Sequence, residues 1–116
     1  MTKPIELKEL LKRLKEANYN QFTFQPRIKE PNKNPAILFM KLGKTRQEMI
    51  DGVLRRLTEE DCTKQNQEDI SPGHTGWVWV FKKTFNAITK DEVIAVKIYI
   101  KITLDGSQII VISFHE

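Results

Sequence analysis

Apolar residues open the chain at helical spacing: Ile5, Leu7, Leu10, Leu11, Leu14 and Ala17 follow an i, i+3, i+4, i+7 pattern with Lys and Glu between them. The pattern predicts an amphipathic helix from Ile5 to Ala17, with Pro4 in its first turn, where a missing N–H is no loss. Asn18 to Asn20 end it. Phe22 and Phe24 then alternate with Gln21, Thr23 and Gln25, as in a short strand at a sheet edge, until Pro26. Residues 29–35 (KEPNKNP) combine two prolines, two asparagines and several charges, the composition of an exposed, mobile loop. No element is assigned to the apolar run Ile37 to Leu42, which Gly43 closes. Thr45 and Glu48 are spaced as a capping box and predict a helix from Arg46 to about Leu57, its stripe formed by Met49, Ile50, Val53, Leu54 and Leu57 and interrupted by Gly52. Thr58 to Asp61 is a second N-cap pattern opening a helical turn, followed by a polar segment, Thr63 to Asp69, and a turn at Ser71-Pro-Gly73.

Beyond that turn the period changes to two. Trp77, Trp79, Phe81, Lys83 and Phe85 share one strand face, and Val78, Val80, Lys82 and Thr84 the other. After a loop around Thr89-Lys-Asp91, the even positions Ile94 to Leu104 are aliphatic, whereas Lys97, Tyr99, Lys101 and Thr103 point the opposite way. Asp105-Gly106 marks a tight turn, and Gln108 to His115 return as the partner strand. Helices first and strands last predict an α+β domain over residues 1–116, with N-terminal helices packed on a three- or four-stranded C-terminal antiparallel sheet.

The charge balance adds a lean toward an anionic partner: 19 Lys+Arg against 15 Asp+Glu give +4. A single cysteine, Cys62, forms no internal disulfide or thiolate zinc site and reads as a small apolar side chain. Two histidines, no Gly-rich phosphate loop, no HExxH and no nucleophile elbow leave no expected metal or cofactor. The N-terminus lacks the pattern of a secretory leader and no apolar run approaches the about 20 residues of a membrane span, so a cytoplasmic protein is expected.

The chemistry-bearing feature is the stripe Lys97, Tyr99 and Lys101, its members roughly 6.6–6.8 Å apart along one strand face, which suits a polyanion. His115 can join that face if the hairpin register allows; Lys82 and Lys83 lie on the preceding strand, and Lys64 could close over the stripe from the helical layer. Cleavage of RNA without a metal needs a base for the 2′-OH proton, cations for the charge building on phosphate and an acid for the departing 5′ oxygen. Lys, Tyr and His can supply all three. The plainer readings are a solvated strand face for Lys97, Tyr99 and Lys101, a frayed terminus for His115, a turn for His74, and core for Trp77, Trp79, Phe81 and Phe85.

Three segments resemble the MqsR (motility quorum-sensing regulator) family of bacterial toxins. They are Leu57-Thr-Glu-Glu-Asp61-Cys-Thr-Lys64, similar to L-[ST]-x-x-D-[FY]-x-K; His74-Thr-x-Trp77-x-x-Val80-Phe81-Lys82; and Ile98-Tyr99-Ile-Lys101-Ile-Thr103 with Ile-Ser113-Phe114-His115, similar to V-Y-L-K-I-T and V-S-F-K. The resemblance runs from about Thr45 to His115, and implies a RelE-like fold and a metal-independent mRNA endoribonuclease, the toxin of a type II toxin–antitoxin pair. It places Lys64 and Tyr99 on positions implicated in catalysis and Lys101 on an adjacent basic position, implies an antitoxin protein as the second partner and, since other RelE-like toxins have a near-terminal histidine, adds His115 to the catalytic set. Lys82 and Lys97, from their places on the strands, are expected to contact RNA phosphates. Two positions depart from the family: Val78 stands where it has a catalytic Gln, and His115 where it has Lys. A noncatalytic RNA- or protein-binding module of the same fold is the alternative.

Overall fold

The computed structural model describes residues 6–27, 29–68, 77–88 and 91–116, and of residues 64–68 and 77 the backbone alone. Helix α1 (Leu7–Glu16) buries Leu10 and Leu14, and its apolar spacing sets that face. The short strand β1 (Phe22–Phe24) follows. Residues 29–35, expected as a mobile loop, contain a 3₁₀ turn over Pro31–Lys33 and then start α2 (Pro35–Leu42), the element missing from the sequence reading. Asn34 accepts a hydrogen bond from the Ala36 N–H, Pro35 occupies the first helical position, and Gly43 ends the helix in the left-handed region at φ 63°.

The Thr45–Glu48 capping box opens α3 (Arg46–Gly52), which stops five residues short of the expected Leu57. Val53 leaves helical geometry and Leu54–Arg56 continue as a 3₁₀ turn. Gly52, the last helical residue, is where the Phe85 ring comes close, since a Cβ there would lie 3.4 Å from it. Arg55 fastens this layer: its guanidinium donates to Leu14 O, Lys15 O and Ala17 O at 3.2, 2.6 and 2.8 Å, satisfying carbonyls at the end of α1.

The sheet has five strands in the order β1-β5-β4-β3-β2, with β2 (Cys62–Glu68), β3 (Trp77–Ile88), β4 (Val93–Asp105) and β5 (Gln108–His115). It is mixed rather than purely antiparallel, because β1 pairs with β5 in parallel. The extra antiparallel strand is β2, formed by the polar segment after Asp61. It has no apolar alternation for a sequence reading to detect, which befits an edge strand with irregular register. The α+β class with N-terminal helices on a C-terminal, largely antiparallel sheet holds. The core between the layers comprises Leu10, Leu14, Met49, Ile50, Leu54 and Leu57 from the helical side and Trp79, Phe81, Ile98, Ile100, Ile102 and Phe114 from the sheet. Trp79 and Phe81 are thus core, as read; the side chain of Trp77 lies outside the described residues. Among the described residues no helix is long and apolar enough to cross a membrane.

Candidate functional site

The face of the sheet away from the helices is built by alternation. Ile98, Ile100 and Ile102 of β4 are fully buried, so Tyr99 and Lys101 take the opposite side, both half-buried. Pairing then fixes their neighbours: Lys82 of β3 and His115 of β5 stand opposite Tyr99 on either side, and Val80 and Ser113 stand opposite Lys101. With strands about 4.8 Å apart, the row Lys82–Tyr99–His115 spans about 10 Å. The Tyr99 and His115 rings stack, centroids 5.3 Å apart and planes at 28°.

The His115 ring is anchored at one nitrogen. Nδ1 lies 3.1 Å from the Glu116 main-chain oxygen, which only accepts, so the neutral ring that makes this bond carries its proton on Nδ1 and keeps a lone pair on Nε2. The Glu116 carboxylate in turn is ion-paired with Lys41 of α2. A residue in a paired strand, stacked and followed by a tethered side chain does not match a frayed end.

A cleft of about 280 Å³ is lined by Tyr99, Lys101, Ser113 and His115 together with two residues absent from the sequence reading, Arg27 and Lys33. Arg27 is delivered by β1, whose ladder runs on past Phe24 as the Gln25 N–H donates to Val111 O at 3.0 Å. Its Nη2 then donates to Ser113 Oγ at 2.6 Å. Lys33 arrives on the 3₁₀ turn and holds Glu30 at 2.7 Å, with Arg27 Nη1 3.8 Å from the same carboxylate. The Lys33 hydrogen bond and charge, with smaller contributions from Arg27 and His115 opposing desolvation, hold the Glu30 carboxyl below its ordinary value, so it is ionised at neutral pH. The lining is cations, hydroxyls and an imidazole, a set that fits an anion.

Other expected site residues are spread around this cleft. Lys97 is exposed on β4 opposite Thr84, one step along the stripe, and Lys82 is exposed beside Tyr99; neither lines the cleft. Lys83 faces the other way and is ion-paired with Asp61 at 3.3 Å. Lys64 does not approach from the helical layer: the chain passes from the turn Glu59–Asp61 straight into β2, and the Lys64 backbone pairs with Val80, with β3 between it and Lys101. Its side chain, and all of His74, lie outside the described residues. Val78 shares the strand face of Lys82 but is 1% exposed, a buried apolar residue opposite Thr103. Arg27 and Lys33 carried one faint signal, basic residues soon after a short strand; Ser113, the single polar residue among the buried ones described, carried none. No protein-family model, curated protein or solved structure matches the chain.

Proposed function

We propose that the chain is a cytoplasmic, metal-independent endoribonuclease that cuts mRNA, the toxin of a type II toxin–antitoxin pair similar to the MqsR family and its RelE-like fold. The observation that carries this reading is the stacked Tyr99–His115 pair inside a cationic cleft, with Lys101 beside it in the lining. The neutral His115 ring offers Nε2 as an acceptor, the position from which it would take the proton of a ribose 2′-OH. The freed 2′ oxygen attacks phosphorus, the bond from phosphorus to the 5′ oxygen breaks, and that oxygen takes a proton from an acid such as Tyr99. Lys101, and Lys64 by the family resemblance, stabilise the charge on the phosphoryl oxygens. Lys82 and Lys97, exposed on the same face, extend the cationic track for flanking phosphates. The antitoxin is a protein with an acidic or shape-complementary surface for this face.

One observation favours the second reading, a noncatalytic RNA- or protein-binding module: Val78 is apolar and buried where the family has its catalytic Gln. Incubating the purified protein with a defined RNA in EDTA separates the two. The nuclease yields products ending in a 2′,3′-cyclic phosphate; intact RNA, with and without ribosomes, decides for the module.

A further inference from the structure

We propose that Arg27 is a phosphate ligand of this cleft, held in place by the Ser113 hydroxyl, and that Glu30 is an internal counter-ion which an RNA phosphodiester displaces. The inference rests on the RNA reading above and names the residues that meet the phosphate. Ser113 is 2% exposed and sits opposite Lys101 in the sheet, so its hydroxyl is a fixed point. By donating to it, one arm of the Arg27 guanidinium is pinned at the cleft wall. A guanidinium has five donors. Arg27 uses one on Ser113 at 2.6 Å, and its approach to Glu30, at 3.8 Å, is too long for a hydrogen bond. Donors therefore remain for a ligand, in the planar fork that matches two oxygens of a phosphate.

The present holder of that charge is easily replaced. The Glu30 side chain is 46% exposed, and Arg27 and Lys33 each lie only three positions from it in the chain. Such exposed pairs are weakly held. A phosphodiester entering the cleft replaces one carboxylate by one phosphate, keeps Arg27 and Lys33 paired, and gains the counter-ions released from the nucleic acid. Glu30 thus restrains the cleft from taking up weak anions, and RNA, which also engages Lys101 and Tyr99, overcomes it.

The test uses a 2′-O-methyl RNA oligonucleotide, which binds but lacks the nucleophile for cleavage, titrated by fluorescence anisotropy over a series of NaCl concentrations. Arg27→Ala should weaken binding roughly tenfold or more and reduce the slope of log affinity against log salt by about 0.7, one phosphate contact. Arg27→Lys should recover part of the affinity. Glu30→Gln should act in the opposite direction, tightening binding several-fold, because it frees two cations. Wild-type binding that Arg27→Ala leaves within twofold, or that Glu30→Gln leaves unchanged or weakens, overturns the assignment while the RNA reading stands. Absence of wild-type binding overturns both. Should Arg27→Ala fail to fold by thermal melting, Glu30→Gln, which keeps the Arg27–Ser113 bond, decides by its sign.

Discussion

His115→Ala is the substitution whose outcome is most sharply set by the geometry. The side chain is half-buried, at the last position of β5, and its main ring contact is the stack on Tyr99 at 5.3 Å. Such a ring pair is worth about 0.5–1.5 kcal/mol, and Phe114 beneath it stays in the core, so no cavity opens. Against the about 5–15 kcal/mol of a typical domain the variant stays folded. Its catalytic cost should be far larger: losing a general acid or base lowers the rate about 10²- to 10⁴-fold, with RNA binding nearly unchanged. His115→Phe separates the two effects, since it keeps the stack but moves no proton, and it should be as slow as the alanine variant. His115→Lys should retain more activity than either, because an ammonium still stabilises phosphate charge. The assay is single-turnover cleavage of an end-labelled RNA in EDTA across pH, with anisotropy for binding. With Nε2 as the base, the wild-type rate should depend on pH differently from that of the phenylalanine variant, whose ring carries no proton to transfer. Alanine-variant rates within about threefold of wild type, with the same pH profile, would refute the proton-transfer role and leave Tyr99 and the lysines to account for cleavage.

Three further outcomes follow from the same structure. Tyr99→Phe keeps the ring against His115 but removes the hydroxyl, so RNA affinity should hold while cleavage drops by about 10²-fold or more; equal cleavage would remove Tyr99 from proton transfer. Phe81→Ala, at a fully buried position, should cost about 3–5 kcal/mol in urea unfolding, and a loss below about 1 kcal/mol would show that the core is not closed around it. Thr45→Ala should cost about 1 kcal/mol by removing the hydroxyl that caps α3. Because the Thr45 main-chain and side-chain hydrogen bonds hold the Glu48 carboxyl below its ordinary value, its contribution is present at neutral pH and is lost as pH falls through the folded-state value. Glu48→Gln should therefore show less acid destabilisation than wild type, and an identical acid limb would count against the capping box.

Legibility in the sequence tracked how many levels of signal agreed. The first helix, the long strands from Trp77 and Val93, the Asp105-Gly106 turn and the Thr45–Glu48 box each had period and punctuation pointing the same way, and each is present. Where period and local chemistry diverged, the reading missed. The run Pro35–Leu42 is almost wholly apolar, so it gives no amphipathic period although it is a helix. The segment Cys62–Glu68 is wholly polar after its first residue and pairs at a sheet edge, so no apolar alternation announces it. The stripe Lys97–Tyr99–Lys101 was visible because all three belong to one strand. Arg27 and Lys33 were not: Arg27 reaches the cleft through the parallel pairing of β1 with β5, meeting a residue 86 positions away that no local window contains, and Lys33 arrives on the later 3₁₀ turn.

The register of the last hairpin shows why His115 could not be placed from alternation alone. From the turn outward Asp105 pairs with Gln108, Leu104 with Ile109, Thr103 with Ile110 and Ile102 with Val111. Continued without interruption, that register sets Lys101 against Ile112, Tyr99 against Phe114, and His115 against the fully buried Ile98. A one-residue slip would thus turn the imidazole into the core and a phenyl ring onto the polar face. The chain instead shifts register between Lys101 and Ile102, so that Ser113 meets Lys101, Phe114 meets Ile100 and His115 meets Tyr99. Ile112 is the additional residue; it is 2% exposed yet lies outside the main core cluster. Both Val111 and Phe114 thereby reach the core, three positions apart rather than two, and Ser113 and His115 are left on the cleft side. The bulge is therefore the device that builds the site: one residue re-aims the end of β5, setting the imidazole on Tyr99 and the hydroxyl against Arg27.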